Sequence, residues 1–185
     1  MKNLPFYNQI AASSAHRNSR EFNSDYILKH PECFEDLLAI AFDLKDKNHH
    51  KACWILELVL ESRLDWLDDY LDVFCQILPL YKQDGAVRSI SKICQFLSQK
   101  HISKLKSGCV YLRSKHIRVI TETCFDWMIG PTKVASKVYA MRALFEIGKI
   151  KKTVHPELKD IIEKDFSLHT AAYKIAAKDI LKRMK

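Results

Sequence analysis

The sequence predicts an all-α protein, a solenoid of about four stacked helix pairs, on three observations. Glycine and proline are scarce, 4 and 5 in 185 residues. So few turn-formers argue against a many-stranded β protein and for long helices with short links. Apolar residues recur at helical spacing along most of the chain. Basic residues recur as well: Lys51, Arg88, Lys137 and Lys174 fall near the start of four return helices, at intervals of 37, 49 and 37. Removing a 12-residue insertion at 101–112 makes every interval 37. Periods of this size mark helical solenoids, in which a pair buries its apolar face only by stacking on its neighbours.

Residues 1–13 read as a short leader, and 14–185 as a single repeat domain. Ser14 is placed to cap a first helix running to about His30. The first pair covers about 31–62. His30-Pro31-Glu32 opens it, with proline and an acid where a helix start favours both. Phe34, Leu37, Leu38 and Ala41 form its first stripe, and Ala52, Ile55, Leu56 and Val59 its second. The second pair covers about 64–99. Leu67, Tyr70, Leu71, Phe74 and Leu78 point inward, Pro79 and Gln83-Asp84-Gly85 stop the helix, and Ile90, Ile93, Cys94 and Leu97 line the return. The third pair, about 113–150, uses Ile117, Ile120, Cys124 and Trp127, stops at Gly130-Pro131, and returns with Val134, Val138, Met141 and Leu144 inward. The fourth, about 155–184, opens on His155-Pro156-Glu157. Leu158, Ile161, Ile162 and Phe166 follow, then Ala171, Ala172, Ile175 and Ile180.

The return helices resemble the second helix of a HEAT repeat. Lys51-Ala52-Cys53-Trp54-Ile55-Leu56, Val87-Arg88-Ser89-Ile90-Ser91-Lys92-Ile93 and Lys137-Val138-Tyr139-Ala140-Met141 carry the likeness, which extends over about 31–185. It implies a right-handed HEAT/armadillo-like superhelix. It also implies that an Asp in the preceding turn pairs with the basic residue; Asp46 before Lys51 and Asp84 before Arg88 fit, and the third and fourth pairs have no matching acid. The chain is also similar to a small bacterial family of this type through Trp54-Ile55-Leu56-Glu57, Ala86-Val87-Arg88 and Cys124-Phe125-Asp126-Trp127-Met128. Some of its members bear the name adenylosuccinate lyase. The Ser-Ser-x-Met-Pro-x-Lys-x-Asn loop of the much longer true lyase has no counterpart here, since Ser13-Ser14 continues Ala15-His16-Arg17. HEAT-like DNA glycosylases share the predicted architecture. They need an exposed aromatic cleft and a working Asp, and the nearest pair, Asp126 beside Trp127, reads as core plus rim.

Composition narrows the function classes. Hydrophobic content is 48%, enough for a sizeable core. No apolar run reaches membrane-spanning length, and the start Met1-Lys2-Asn3-Leu4-Pro5 lacks the apolar core of a secretion signal. A cytoplasmic protein is the expectation. The cysteines, Cys33, Cys53, Cys75, Cys94, Cys109 and Cys124, include no CxxC pair, and four of them sit in apolar helical runs as small buried thiols. His49-His50 point apart on a helix, and no HxxxH has a helpful acid. No catalytic residue, metal site, cofactor or small-molecule substrate is therefore expected.

The net charge of +8 is uneven. Residues 1–80 hold 8 basic and 13 acidic side chains, and residues 81–185 hold 22 and 9. The candidate binding residues are Lys51, Arg88, Lys137 and Lys174, with Lys92 and Lys178 one turn later. They form either a cationic ladder on a concave face, able to follow a phosphate backbone, or structural side chains that cap carbonyls and pair with acids. Lys174, Lys178, Lys182 and Lys185 share one face of the last helix, either a solvated cap or a nucleic-acid contact. Lys100, Lys104, Lys106, Tyr111, Arg113, Lys115 and Arg118 crowd the insertion. Asp65, Asp68, Asp69 and Asp72 make a hydrated stripe near a helix start. A non-enzymatic scaffold holding a protein partner is the first functional expectation, and a nucleic-acid-binding module the second.

Overall fold

Among the described residues, ten α-helices joined by four 3-10 segments make up the structure, and no strand occurs. This computed structural model describes residues 4–184; Lys185, assigned above to the basic face of the last helix, lies outside them. No described helix is long and apolar enough to cross a membrane. The chain forms two compact units that meet in sequence at Ile90 and Ser91.

In the first unit, α1 (Leu4–Ala12) and α2 (Arg17–Lys29) precede the predicted pairs. A 3-10 turn at Pro31–Cys33 leads into α3 (Phe34–Phe42), and α4 (His49–Ser62) returns. Proline opens that turn without loss, because the first N–H groups of a helical segment have no partner inside it. The stripes predicted for these helices are buried: Phe34, Leu37, Leu38 and Ala41 on α3, Ala52, Ile55, Leu56 and Val59 on α4. Each of the larger side chains among them contributes roughly 1.5–3 kcal/mol on leaving water, and each alanine methyl less. Helix α4 is the centre of the unit, touching α1, α2, α3 and the 3-10 turn Leu64–Tyr70. The stretch after it is less regular than its apolar stripe suggests. It splits into that turn, α5 (Leu71–Ile77) and a second 3-10 turn at Leu78–Leu80. Pro79 supplies no N–H and ends the helical run.

Residues 4–12, read from sequence as part of a leader, are helical and bury Phe6 and Ile10. Tyr7 ties this helix to the α3–α4 loop. Its hydroxyl donates to Asp46 Oδ1 at 3.1 Å and accepts from Asn48 Nδ2 at 3.0 Å.

Helix α6 (Asp84–Lys106) runs into the segment read as an insertion and ends within it. Gly108 stops it with a φ of 77°, which a residue without Cβ adopts at no steric cost. The Cys109 N–H donates to the Lys104 carbonyl and the Gly108 N–H to Leu105, both at 3.0 Å. That pattern is a Schellman stop. The chain then folds back, and His101 Nδ1 accepts the Leu112 N–H at 3.0 Å while Lys100 lies 4.1 Å from the centre of the Tyr111 ring.

In the second unit α7 (Ser114–Ile129), α8 (Val134–Gly148), α9 (Val154–Asp165) and α10 (Ala171–Arg183) follow. Helix α8 is central, touching α7, α9 and α10, and α7 also touches α9. One predicted stripe is wrong. Ala171, Ala172 and Ile175 face outward; Ile180 is buried as expected, and Tyr173, Ala176 and Ala177 are buried with it. Both sets fit helical spacing. The second carries the large Tyr173 ring, which removes more apolar area from water than two alanines and an isoleucine that stays at the rim.

Two predictions follow from this packing. A Cβ on Gly148 would fall 1.8 Å from the His155 ring, which stacks on Phe145 and bonds the Phe145 carbonyl through Nε2 at 2.8 Å. Gly148→Ala is expected to cost about 1–3 kcal/mol in denaturant unfolding. Burial holds the His101 pKa below its ordinary value, and His50 is lowered likewise. A histidine with a depressed folded pKa contributes its full stability above the unfolded value, about 6.5, and loses it as pH falls. Melting temperature is therefore expected to drop between pH 7.5 and 5.5. His101→Asn, whose Oδ1 still accepts from Leu112, is expected to narrow that drop.

Candidate functional site

The six predicted binding cations meet different fates. Lys51, at the start of α4, donates through Nζ to the Ala11 carbonyl at the end of α1. The HEAT resemblance assigned it Asp46, whose Oδ1 instead accepts the Asn48 N–H at 2.8 Å. Lys137, at the start of α8, donates to the Met128 carbonyl at the end of α7. It is 5% exposed, and burial lowers its pKa, offset in part by Asp165. Both lysines sit where a helix presents carbonyls with no intrahelical partner and its negative dipole end. Arg88 donates to Glu57 Oε2 at 3.0 Å, and Ser89 Oγ donates to the same oxygen at 2.6 Å. The Glu57 side chain is 1% exposed, so this pair neutralises a carboxylate inside the first unit. Lys92 lies 5.3 Å from the Phe96 ring centre. Lys174 and Lys178 are brought together, each 5.9 Å from the Phe166 ring centre.

Each unit carries a concave surface. The first is a cleft of about 330 Å³ lined by Ala15, Arg20, Trp54, Gly85 and Arg88. Trp54 is held by an Nε1–H bond to the Gly85 carbonyl at 3.1 Å, and its ring meets His50 edge to face. Gly85 packs closely on that ring: a Cβ there would lie 3.0 Å from Trp54 Nε1, and the indole would have to give way by a few tenths of an ångström. Arg20 was not among the residues picked from sequence. It sits on α2, outside the repeating pattern, and nothing in its local sequence sets it apart from a solvated arginine.

The second is an apolar groove of about 560 Å³ between α8 and α10. Val134, Ala135, Val138 and Tyr139 line one wall, Ala172, Ile175 and Ala176 the other, with Arg142 and Thr170 at the polar positions. Ile175 is 71% exposed. Val134, Val138 and Ile175 were expected inside the core; they form the groove because α8 and α10 each carry a second apolar stripe beside the buried one. That surplus of apolar positions was the available signal.

The reactive groups are quiet. Burial pushes the Cys53 thiol up to about 12, so it stays uncharged. Tyr173 is also pushed up to about 12 by burial. Among the described residues no cluster of three or more His, Cys, Asp or Glu side chains is placed to hold a metal. The acidic stripe is exposed, with Asp65 bonded to Arg63 at 2.6 Å.

No family model matches this chain, and neither a curated protein nor a solved structure does.

The lysine geometry makes a prediction of its own. Lys137→Met removes a charge-assisted bond to a helix-end carbonyl and is expected to lower unfolding stability by about 1.5–3 kcal/mol. Polyanion binding at low salt is expected to stay unchanged, since the ammonium is turned inward.

Proposed function

We propose that this protein is a non-enzymatic binding scaffold of HEAT-like helix pairs, which holds a protein partner on its return helices. The observation that carries the reading is the α8–α10 groove, where Ile175 is left 71% exposed beside Val134, Val138 and Tyr139. An exposed isoleucine on a concave apolar wall costs solubility unless something covers it, and apolar grooves between helices are where amphipathic segments dock. Arg142 at the edge favours a partner with an acid beside its apolar anchor.

The repeated plan supports the architecture. In one unit α2 packs on α4, and in the other α10 packs on α8, so alternate helices meet as return helices do in a stack. The fate of the cations favours protein over nucleic acid. Lys51 and Lys137 cap helix ends and Arg88 neutralises Glu57, so half of the expected ladder serves the fold.

A photo-crosslinking side chain at position 175 tests this in cells, with one at the exposed Val110 as control. Protein adducts specific to position 175, suppressed by excess unlabelled wild-type chain in trans but not by the Ile175→Glu chain, are expected. Equal adducts at both positions would overturn the reading. So would steep, salt-sensitive binding to duplex or single-stranded DNA that depends on Lys174 and Lys178.

A further inference from the structure

The cleft of the first unit has a chemistry the groove lacks. Both of its charged lining residues are arginines, and a tryptophan stands with them. Arg88 is matched by Glu57 beneath it. Arg20 is not matched. Its Nε is shut off from solvent and has no hydrogen-bond partner, in a residue whose side chain lines the cleft. A buried N–H with no acceptor costs about 1–3 kcal/mol, and a guanidinium edge fits two oxygens of one oxyanion side by side. Arg17, one turn earlier on α2, already has its carboxylate in Glu21 at 2.7 Å, so the imbalance is local to Arg20.

We propose that this cleft is a binding site for an oxyanion, phosphate or carboxylate, carried on a flat apolar group. Arg20 takes the anion through the part of its guanidinium that lines the cleft, not through the shielded Nε, and Arg88, already paired with Glu57, lines the same cleft. The indole of Trp54, fixed by its bond to Gly85, offers the apolar surface on which the rest of the ligand lies. A volume of about 330 Å³ exceeds what a bare phosphate or carboxylate fills and leaves room for a ring-sized body beside the anion. Gly85 keeps the Trp54 side of the cleft open by lacking a Cβ. The site lies within the first unit and its existence does not depend on the α8–α10 groove.

The test follows the Trp54 indole N–H signal of the full chain by NMR, assigned with Trp54→Phe, during titration with phenyl phosphate, benzoate, inorganic phosphate and phenol. Saturable shifts with phenyl phosphate or benzoate are expected. Whichever binds tighter identifies the anion, with inorganic phosphate weaker and phenol inert. Arg20→Met is expected to weaken binding at least about tenfold, the loss of one charge-assisted bond. Its melting temperature should be unchanged or higher, because Arg20 Nε bonds nothing in the unliganded fold. Absence of a saturable shift at millimolar phenyl phosphate and benzoate would overturn the proposal. Equal affinity of wild type and Arg20→Met, or equal binding of phenol, would do so too. Crosslinking from position 175 reads the other unit, so either result stands without the other.

Discussion

The constraint that shapes this molecule is the set of carbonyls left without partners at the ends of its helices. Short links bury those ends against neighbouring helices, where water is not available to satisfy them, and a buried unpaired carbonyl is expensive. The chain answers with side chains borrowed from the next elements. Lys51 reaches the end of α1, and the Tyr81 hydroxyl meets the Ala41 carbonyl of α3 at 2.9 Å. Lys137 and Thr132 serve the Met128 and Trp127 carbonyls of α7, and His155 serves Phe145 of α8. Each of these bonds fixes the end of one helix to a residue later in the chain. The packing of consecutive helices is thereby specified by polar geometry as well as by apolar stripes.

This explains why the regularly spaced basic residues were easy to see and hard to interpret. Their period is real, and a cation near the start of a return helix is well placed for the end of an earlier one. From sequence, Lys51 and Arg88 look alike. In the fold Lys51 meets a backbone carbonyl and Arg88 a buried carboxylate, Glu57, which lies 31 residues away in sequence. No local pattern announces that glutamate, because it occupies a position on α4 that helical spacing would fill with an apolar residue.

The helices themselves were legible wherever the apolar stripe was single. Phe34, Leu37, Leu38 and Ala41, or Ile90, Ile93, Cys94 and Leu97, admit one inward face, and those faces are buried. Helix α10 carries two interleaved stripes, and spacing alone does not choose between them. Tyr173 decides it by area, and Ile175 is left outside. Residues 101–106 broke the sequence rhythm without breaking the helix, because Gly108, not the preceding lysines, supplies the stop. The cleft around Arg20 and Trp54 was invisible for another reason. It assembles from α2, α4 and the start of α6, and a site built from three segments has no spacing to read.

Inward-turned lysines also make this protein self-reporting. The Lys137 ammonium is shielded, and its proton is held less tightly than that of a surface lysine. An amine-directed acylating reagent will therefore pass over it while α7 and α8 stay closed, and will find an ordinary solvated lysine amine whenever they separate. The extent of acylation at that single position is a chemical clock for breathing of the second unit.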